Sequence, residues 1–372
     1  MTEPVLTDRE LGRATLARQL LLERSSMASI DAIEQVAGLQ SQLPHDPYVA
    51  LWSRLVDLDP DALGQLLVDR AVVRIVLMRG TIHLVSAADC LMMRGPLQPV
   101  LSRQLLSNAE HKAGIAGLDL DVVLDAARRL LGDGALTGPE LQAALTDELP
   151  GIDAGAAAVA CRNHLALVQV PPRGVWSRAG QVRLTTAEAW LGRPIDPAAT
   201  VAELLRRYLA GFGPASVADM STWSGLTGLR EVVERLGTEL RTFRDERGRE
   251  LFDLPDAARP PGDTPAPPRF LPMFDNLLLS HADRTRCLSD TARQQIWSDR
   301  AVPPTVLIDG EVGATWKLVS DRRSRSTRLD IELLETVPKR SHGALEREGR
   351  ELLRFLEPAM ELHDVRVLAA AT

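Results

Sequence analysis

The sequence predicts a mainly α chain with β-hairpin wings, of the α+β class. Three tandem winged helix-turn-helix motifs form a concave scaffold, and a small C-terminal α+β domain follows. Three observations carry this. Apolar residues recur at helical spacing in short segments opened by capping residues. β-Rich runs come in pairs around turn-forming residues at 72–85, 167–184 and 240–253. The order helix, helix, hairpin occurs three times before a stretch rich in Pro, Ala, Gly and Asp at 256–268, read as a linker. The expected divisions are 1–115, 116–195, 196–260 and 261–372.

In chain order, Leu11, Ala14, Ala17, Leu20 and Leu21 make 8–25 an amphipathic helix. Ser29 is an expected N-cap for a second helix, whose Ile33, Val36, Ala37 and Leu39 keep helical spacing up to Gln40. A third helix covers about 48–56, and Asp59-Pro60 opens a fourth. Two β-rich runs around Arg79-Gly80 then make a hairpin. In the second round, helices are expected at 119–131, 137–149 and 154–165. The second of these opens with Thr137 as N-cap and Glu140 at the capping-box position. Its hairpin pairs 167–170 with 181–184. The third round opens at Thr200, continues through a helix capped by Ser216 and another at 226–236, and closes with strands at 240–243 and 250–253. Beyond the linker, strands are expected at 269–274, 305–308, 313–319, 329–334 and 365–368, with a helix at 345–356. The run Asp321-Arg322-Arg323-Ser324-Arg325-Ser326-Thr327-Arg328 falls between two of these strands, so it reads as a basic hairpin tip.

A chain of 372 residues is too long for one core. Its apolar content of 45% and charged content of 25% are those of a globular protein. No apolar run reaches the roughly 18–20 residues of a membrane helix. The N-terminus lacks the basic start and apolar block of a secretory signal. Cys90, Cys161 and Cys287 are far apart, supporting neither a disulfide framework nor a zinc site. A cytoplasmic protein without membrane partner, metal or cofactor is expected, acting as a monomer. The net charge of −7 excludes a chain that is basic throughout. Of its 43 basic residues only Lys112, Lys317 and Lys339 are lysines, and arginine suits bidentate phosphate binding. A local patch, Arg322, Arg323, Arg325 and Arg328, is compatible with DNA on an acidic protein, as is a solvated turn.

The stretch Gly38-Leu39-Gln40-Ser41-Gln42-Leu43-Pro44-His45-Asp46-Pro47-Tyr48 ends an apolar helical segment. Residues two apart on a helix point about 200° away from each other, so Gln40 and Gln42 share a target only if the helix stops first. Pro44 biases Leu43 away from helix, and an exit near Ser41 is expected. Alone, the stretch reads more simply as a helix end with two solvated amides.

Three segments share an order and spacing with a known family. They are Gly-Leu-Gln-Ser-Gln at 38–42 with Pro-Tyr at 47–48, Arg-Gly-Thr-Ile-His-Leu-Val at 79–85, and Leu-Pro-Met-Phe-Asp-Asn-Leu-Leu-Leu-Ser-His-Ala-Asp-Arg at 271–284. The chain resembles the AlkZ/YcaQ-like winged-helix DNA glycosylases over nearly its whole length. The resemblance implies three winged helices on a concave DNA-binding face, and monofunctional removal of alkylated purines, with crosslink unhooking in some members. It names Gln40 and Gln42 as the catalytic motif: glutamine, a small or apolar residue, then glutamine or aspartate. Ser41 departs from the usual aliphatic middle residue, and Gln42 is similar to the azinomycin-resistance branch.

The chemistry is coherent on its own terms. Glycosidases generally supply an acid and a carboxylate to an oxocarbenium-like sugar. Glutamine can be neither, but it can orient a water. That suffices where alkylation at N7 or N3 has made the purine cationic, because it then departs without protonation. Asp46 and Asp275 could stabilise the sugar cation, although helix and turn capping is the simpler reading. His83 and His281 are more simply structural histidines. The expected partner is double-stranded DNA carrying alkylated or crosslinked purines. The rivals are a winged-helix regulator without catalysis and a protein-interaction scaffold.

Overall fold

A computed structural model describes residues 3–297, 302–321 and 323–369. Helix Asp8–Arg18 runs along the other elements as a spine, opened by a capping box between Thr7 and Glu10. Its arginines reach across the molecule. Arg9 donates to Gly262 O, Arg13 to Thr264 O and Asp309, and Arg18 to Ala258 O and the buried Asp253. The stretch 256–268 has neither helix nor strand, yet these bonds tie it along the spine. The helix is shorter than its apolar pattern. It stops at Arg18 because Leu20 takes a left-handed φ of 57°.

The architecture is mixed α+β. Helices Ser29–Gln35, Asp46–Trp52 and Pro60–Val68 precede the hairpin Val72–Val76/Ile82–Ser86. Ser29 is not the expected N-cap: Ala28 holds that position, and its side chain offers no acceptor. Helices Leu120–Asp133, Gly138–Glu148 and Ala154–His164 precede the next hairpin. There the second strand is Leu184–Thr186 in place of the expected 181–184: all three of its residues are buried, whereas Gln181 and Val182 are exposed. Thr137 and Glu140 form the expected capping box. Thr200 and Ser216 cap Val201–Phe212 and Val217–Ser224 in the same way.

The first two hairpins do not stand apart. Arg74 pairs with Gln169 and Ile75 with Val168, so both join one antiparallel five-stranded sheet. Its outer strands are Leu39–Gln40 and Leu184–Thr186. Pairing covers the edge of Val72–Val76, which would otherwise leave its backbone unsatisfied. The third hairpin, Arg241–Asp245/Glu250–Asp253, takes Val5–Leu6 as a parallel neighbour. The C-terminal sheet orders its strands Leu362–Leu368, Ser326–Leu333, Glu311–Asp321, Thr305–Ile308 and Arg269–Leu271, the first pair parallel. Helix Lys339–Leu356 buries Leu345, Leu352 and Leu353 among the apolar residues of that sheet. The largest core unites Val73, Ile75 and Val168 of the shared sheet with Tyr208, Phe212 and Trp223. The sequence reading had no helices at Ala87–Arg94, Gln98–Ser107, Ala109–Ile115, Ala187–Leu191, Asn276–Leu279 and Asp290–Ile296.

Candidate active site

The glutamine stretch is not the end of a helix. Helix Ser29–Gln35 stops earlier, where Ala37 and Gly38 take left-handed φ values of 57° and 86°. Gly38 is required twice over: by that φ, and because a Cβ there would lie 2.7 Å from Val85 Cγ1. Leu39 and Gln40 then pair with Leu84 and His83 as a short strand. Residues two apart on an extended chain share a face, which helical geometry denied them. Past Gln40 the ladder continues with one backbone bond and one side chain. Ser41 N–H donates to Ile82 O (2.7 Å), whereas Ile82 N–H donates to Gln42 Oε1 (3.2 Å), the place a backbone carbonyl would take. The freed Ser41 carbonyl accepts from Arg74 Nη2 (2.7 Å).

Gln40 is 7% exposed, and its Oε1 accepts from Arg79 Nη2 (2.9 Å). Arg79 is itself fixed, donating from Nη1 to Trp223 O (2.8 Å). Behind it, His83 must donate from Nδ1 to the Thr81 carbonyl at 2.9 Å, so its Nε2 carries no proton. Burial, and then the Arg79 charge, push His83 down to about 3. It is therefore neutral at physiological pH and holds the floor beneath Arg79 and Gln40 rather than acting as an acid. Burial also lowers Arg79, to about 10, which leaves it a cation.

The two candidate carboxylates separate clearly. Asp275 caps Asn276–Leu279 and forms a two-pronged buried pair with Arg54 at 2.9 and 3.0 Å. That pair uses its oxygens structurally. The adjoining Asn276 donates to Gly38 O (2.7 Å) and so anchors the glutamine strand. Asp46 opens helix Asp46–Trp52 and is 8% exposed, and its buried Oδ2 has no hydrogen-bond partner among the described residues. Burial raises its carboxyl to about 7; Asp275 adds to the rise and Arg74 opposes it. His281, by contrast, is enclosed against Phe212 O and held neutral by burial.

The basic hairpin is narrower than its sequence. The strands extend to Asp321 and from Ser326, so Arg328 lies within a strand and not at the tip. It forms two hydrogen bonds with Asp330 (2.6 and 2.9 Å). Arg325 stays in the turn but pairs with Glu361 (2.7 Å). Arg323 is exposed in the turn, and Arg322 lies outside the described residues. Among the described residues no cluster of three or more His, Cys, Asp or Glu is arranged to hold a metal, and no helix is long and apolar enough to cross a membrane.

Sequence reasoning did not single out Arg74, Arg79 and Asn276. Arg79 and Asn276 sit inside the matching stretches, and Arg74 interrupts the apolar run Val72-Val73-Arg74-Ile75-Val76. A charge in a strand that is otherwise buried is a signal in itself.

A family model described as DNA glycosylase AlkZ-like matches residues 33–355. An interstrand DNA cross-link repair glycosylase of Streptomyces sahachiroi is 23% identical over 362 residues, covering 91% of this chain and 94% of that protein. The solved structure of the Streptomyces sahachiroi DNA glycosylase AlkZ superposes with a TM-score of 0.79 at 19% identity, over 98% of this chain and 100% of that one.

Proposed function

The chain belongs to the AlkZ-like DNA glycosylase family, and from that premise we propose that it hydrolyses the N-glycosidic bond of purines made cationic by alkylation at N7 or N3. Interstrand crosslinks attached through purine N7 or N3 are included, since they too are cationic alkylpurines, and the relative from Streptomyces sahachiroi is named for crosslink repair. The activity serves repair or self-protection against a DNA-alkylating natural product.

The observation that carries this reading is how the two amides are held. Each glutamine has its Oε1 engaged by a rigid donor, Arg79 for Gln40 and the Ile82 N–H for Gln42. An amide oxygen has a second lone pair, and each amide has an NH₂. Gln40 and Gln42 use these to hold a water against C1′. The C1′–N bond breaks with its electron pair passing to the purine, which discharges the cation and removes any need for an acid. The water oxygen bonds to C1′, and its proton passes to Asp46, whose carboxyl at about 7 is matched to that task near neutral pH. His83 and Asp275 position the frame. The wings and the 321–328 hairpin hold the double helix through its phosphates.

The test is a duplex carrying one N7-methylguanine. The wild type releases the base, while Gln40→Ala and Gln42→Ala lower the rate by about 10²–10³ and keep DNA affinity. Equal release of uracil or hypoxanthine, which are neutral leaving groups, would sink the reading.

A further inference from the structure

One cavity near the glutamines has no part in that mechanism. It measures about 320 Å³ and lies between the first and second hairpins. Ile82, Val182 and Leu184 give it apolar walls, and Arg74, Arg162 and Gln169 give it polar ones. It adjoins the candidate active site through shared residues. Ile82 lines it while donating its backbone N–H to Gln42, and Arg74 lines it while holding Ser41 through Nε and Nη2. Its polar face is rigid. Arg74 Nη1 bonds Gln169 Oε1 (2.7 Å), which leaves the Gln169 NH₂ without an acceptor among the described residues. Arg162, an exposed lining residue, also has no acceptor among the described residues.

The lining chooses its occupant. It contains two guanidiniums and no carboxylate, so it repels a cationic purine. Its polar side chains are mostly donors, the two guanidiniums and the Gln169 NH₂ against one remaining lone pair on Gln169 Oε1, so a guest that carries acceptors fits it. Its walls are otherwise apolar and its volume suits a ring system, whereas a methyl group would leave it nearly empty. We infer that this cavity receives the neutral, largely apolar, acceptor-bearing arm of a bulky alkyl adduct, while the purine that carries the arm stays at the glutamines. The inference rests on the glycosylase reading and extends it from the reacting bond to substrate choice.

Two duplexes test it, one with N7-methylguanine and one with N7-phenacylguanine, whose arm is an aromatic ring bearing a ketone. Base release is measured on the natural sugar, and affinity on a 2′-fluoro sugar that resists hydrolysis. Val182→Trp fills the cavity from its exposed rim and Arg162→Ala removes a donor. Val182→Trp is expected to weaken phenacyl binding and slow phenacyl release by about 10–100-fold, with the methyl substrate unchanged. Arg162→Ala gives a smaller loss in the same sense, and it decides the matter should Val182→Trp fold poorly. Equal losses on both substrates, no loss on either, or a wild type that binds both duplexes equally well would overturn the proposal. A wild type that releases neither base but keeps the phenacyl preference in binding leaves the cavity assigned and removes the glycosylase reading instead.

Discussion

Two segments carry the residues proposed for function, the loop 38–46 and the hairpin 321–328, and they are built on opposite principles. In the loop, the Gly38 and Ser41 carbonyls and one lone pair of each glutamine amide oxygen are already committed. Gly38 O is held by Asn276, Ser41 by Arg74 and Ile82, Gln40 by Arg79, and Gln42 by Ile82. The hairpin tip is exposed, and two of its arginines, Arg328 and Arg325, are balanced by local acids, Asp330 and Glu361. A group that must meet a transition state gains from being fixed beforehand. A group that only has to find phosphate gains little from it, because exposed ion pairs are weak and exchange readily for a better partner. Rigidity therefore marks the segment proposed for the chemistry, and exposure the segment proposed for docking.

The contrast breaks hardest at Asp275. Removing one member of a buried ion pair leaves the other uncompensated, so Asp275→Ala should cost about 3–5 kcal/mol of stability. Urea denaturation measures that, and base release should fall with it because Asn276 anchors the glutamine strand. No hairpin arginine should approach this cost. A wild-type midpoint for Asp275→Ala would show that the loop does not depend on the Arg54 pair.

Asp46 gives the next largest effect, through pH. A carboxyl raised from 3.8 to about 7 stabilises the fold fully below 3.8, and that contribution is lost as pH rises through about 7. His83, lowered from 6.5 to about 3, does the reverse: its contribution is present above 6.5 and lost as pH falls towards 3. Asp46→Asn should therefore gain stability relative to the wild type between pH 5 and pH 8, by denaturant midpoints at the two values. In base release, the wild type should fall on the order of tenfold per pH unit below 7, where Asp46 is protonated. The variant should be slower above 7 and lack that slope. Parallel profiles for the two proteins would remove Asp46 from the reaction.

Much of the scaffold was legible because its signals are local. Thr137 with Glu140, Thr200 with Glu203, and Ser216 announce helix starts within four residues, and the paired β runs announce hairpins. What failed was not local. Nothing between Ile33 and Gln42 says in isolation that Ala37 takes a left-handed φ, so the apolar spacing continued the helix through a strand. The contact that stabilises this turn, Asn276 to Gly38 O, lies 238 residues away. Arg325 with Glu361, and the joining of the first two hairpins into one sheet, were hidden for the same reason. The matching stretches indicated which glutamines to examine; the network holding them depends on Arg74 and Arg79, whose partners appear only in the folded chain.

The smallest expected effects lie in the hairpin and sharpen its half of the contrast. Arg323 is exposed in the turn, and no ion pair holds it among the described residues, so of Arg323, Arg325 and Arg328 it is the most available to a phosphate. Arg323→Ala should weaken binding uniformly across sequences and lower the slope of log affinity against log salt by about 1. Arg325 must first leave Glu361, a pair in which both side chains are more than half exposed, so Arg325→Ala should act in the same direction but less. Arg328, held twice by Asp330 within the strand, should leave the slope unchanged when replaced by alanine. A salt titration of the three variants on one undamaged duplex ranks them. If Arg328→Ala lowered the slope as much as Arg323→Ala, the ion pair with Asp330 would be a resting state that DNA displaces, and the docking surface would extend down the strand from the tip.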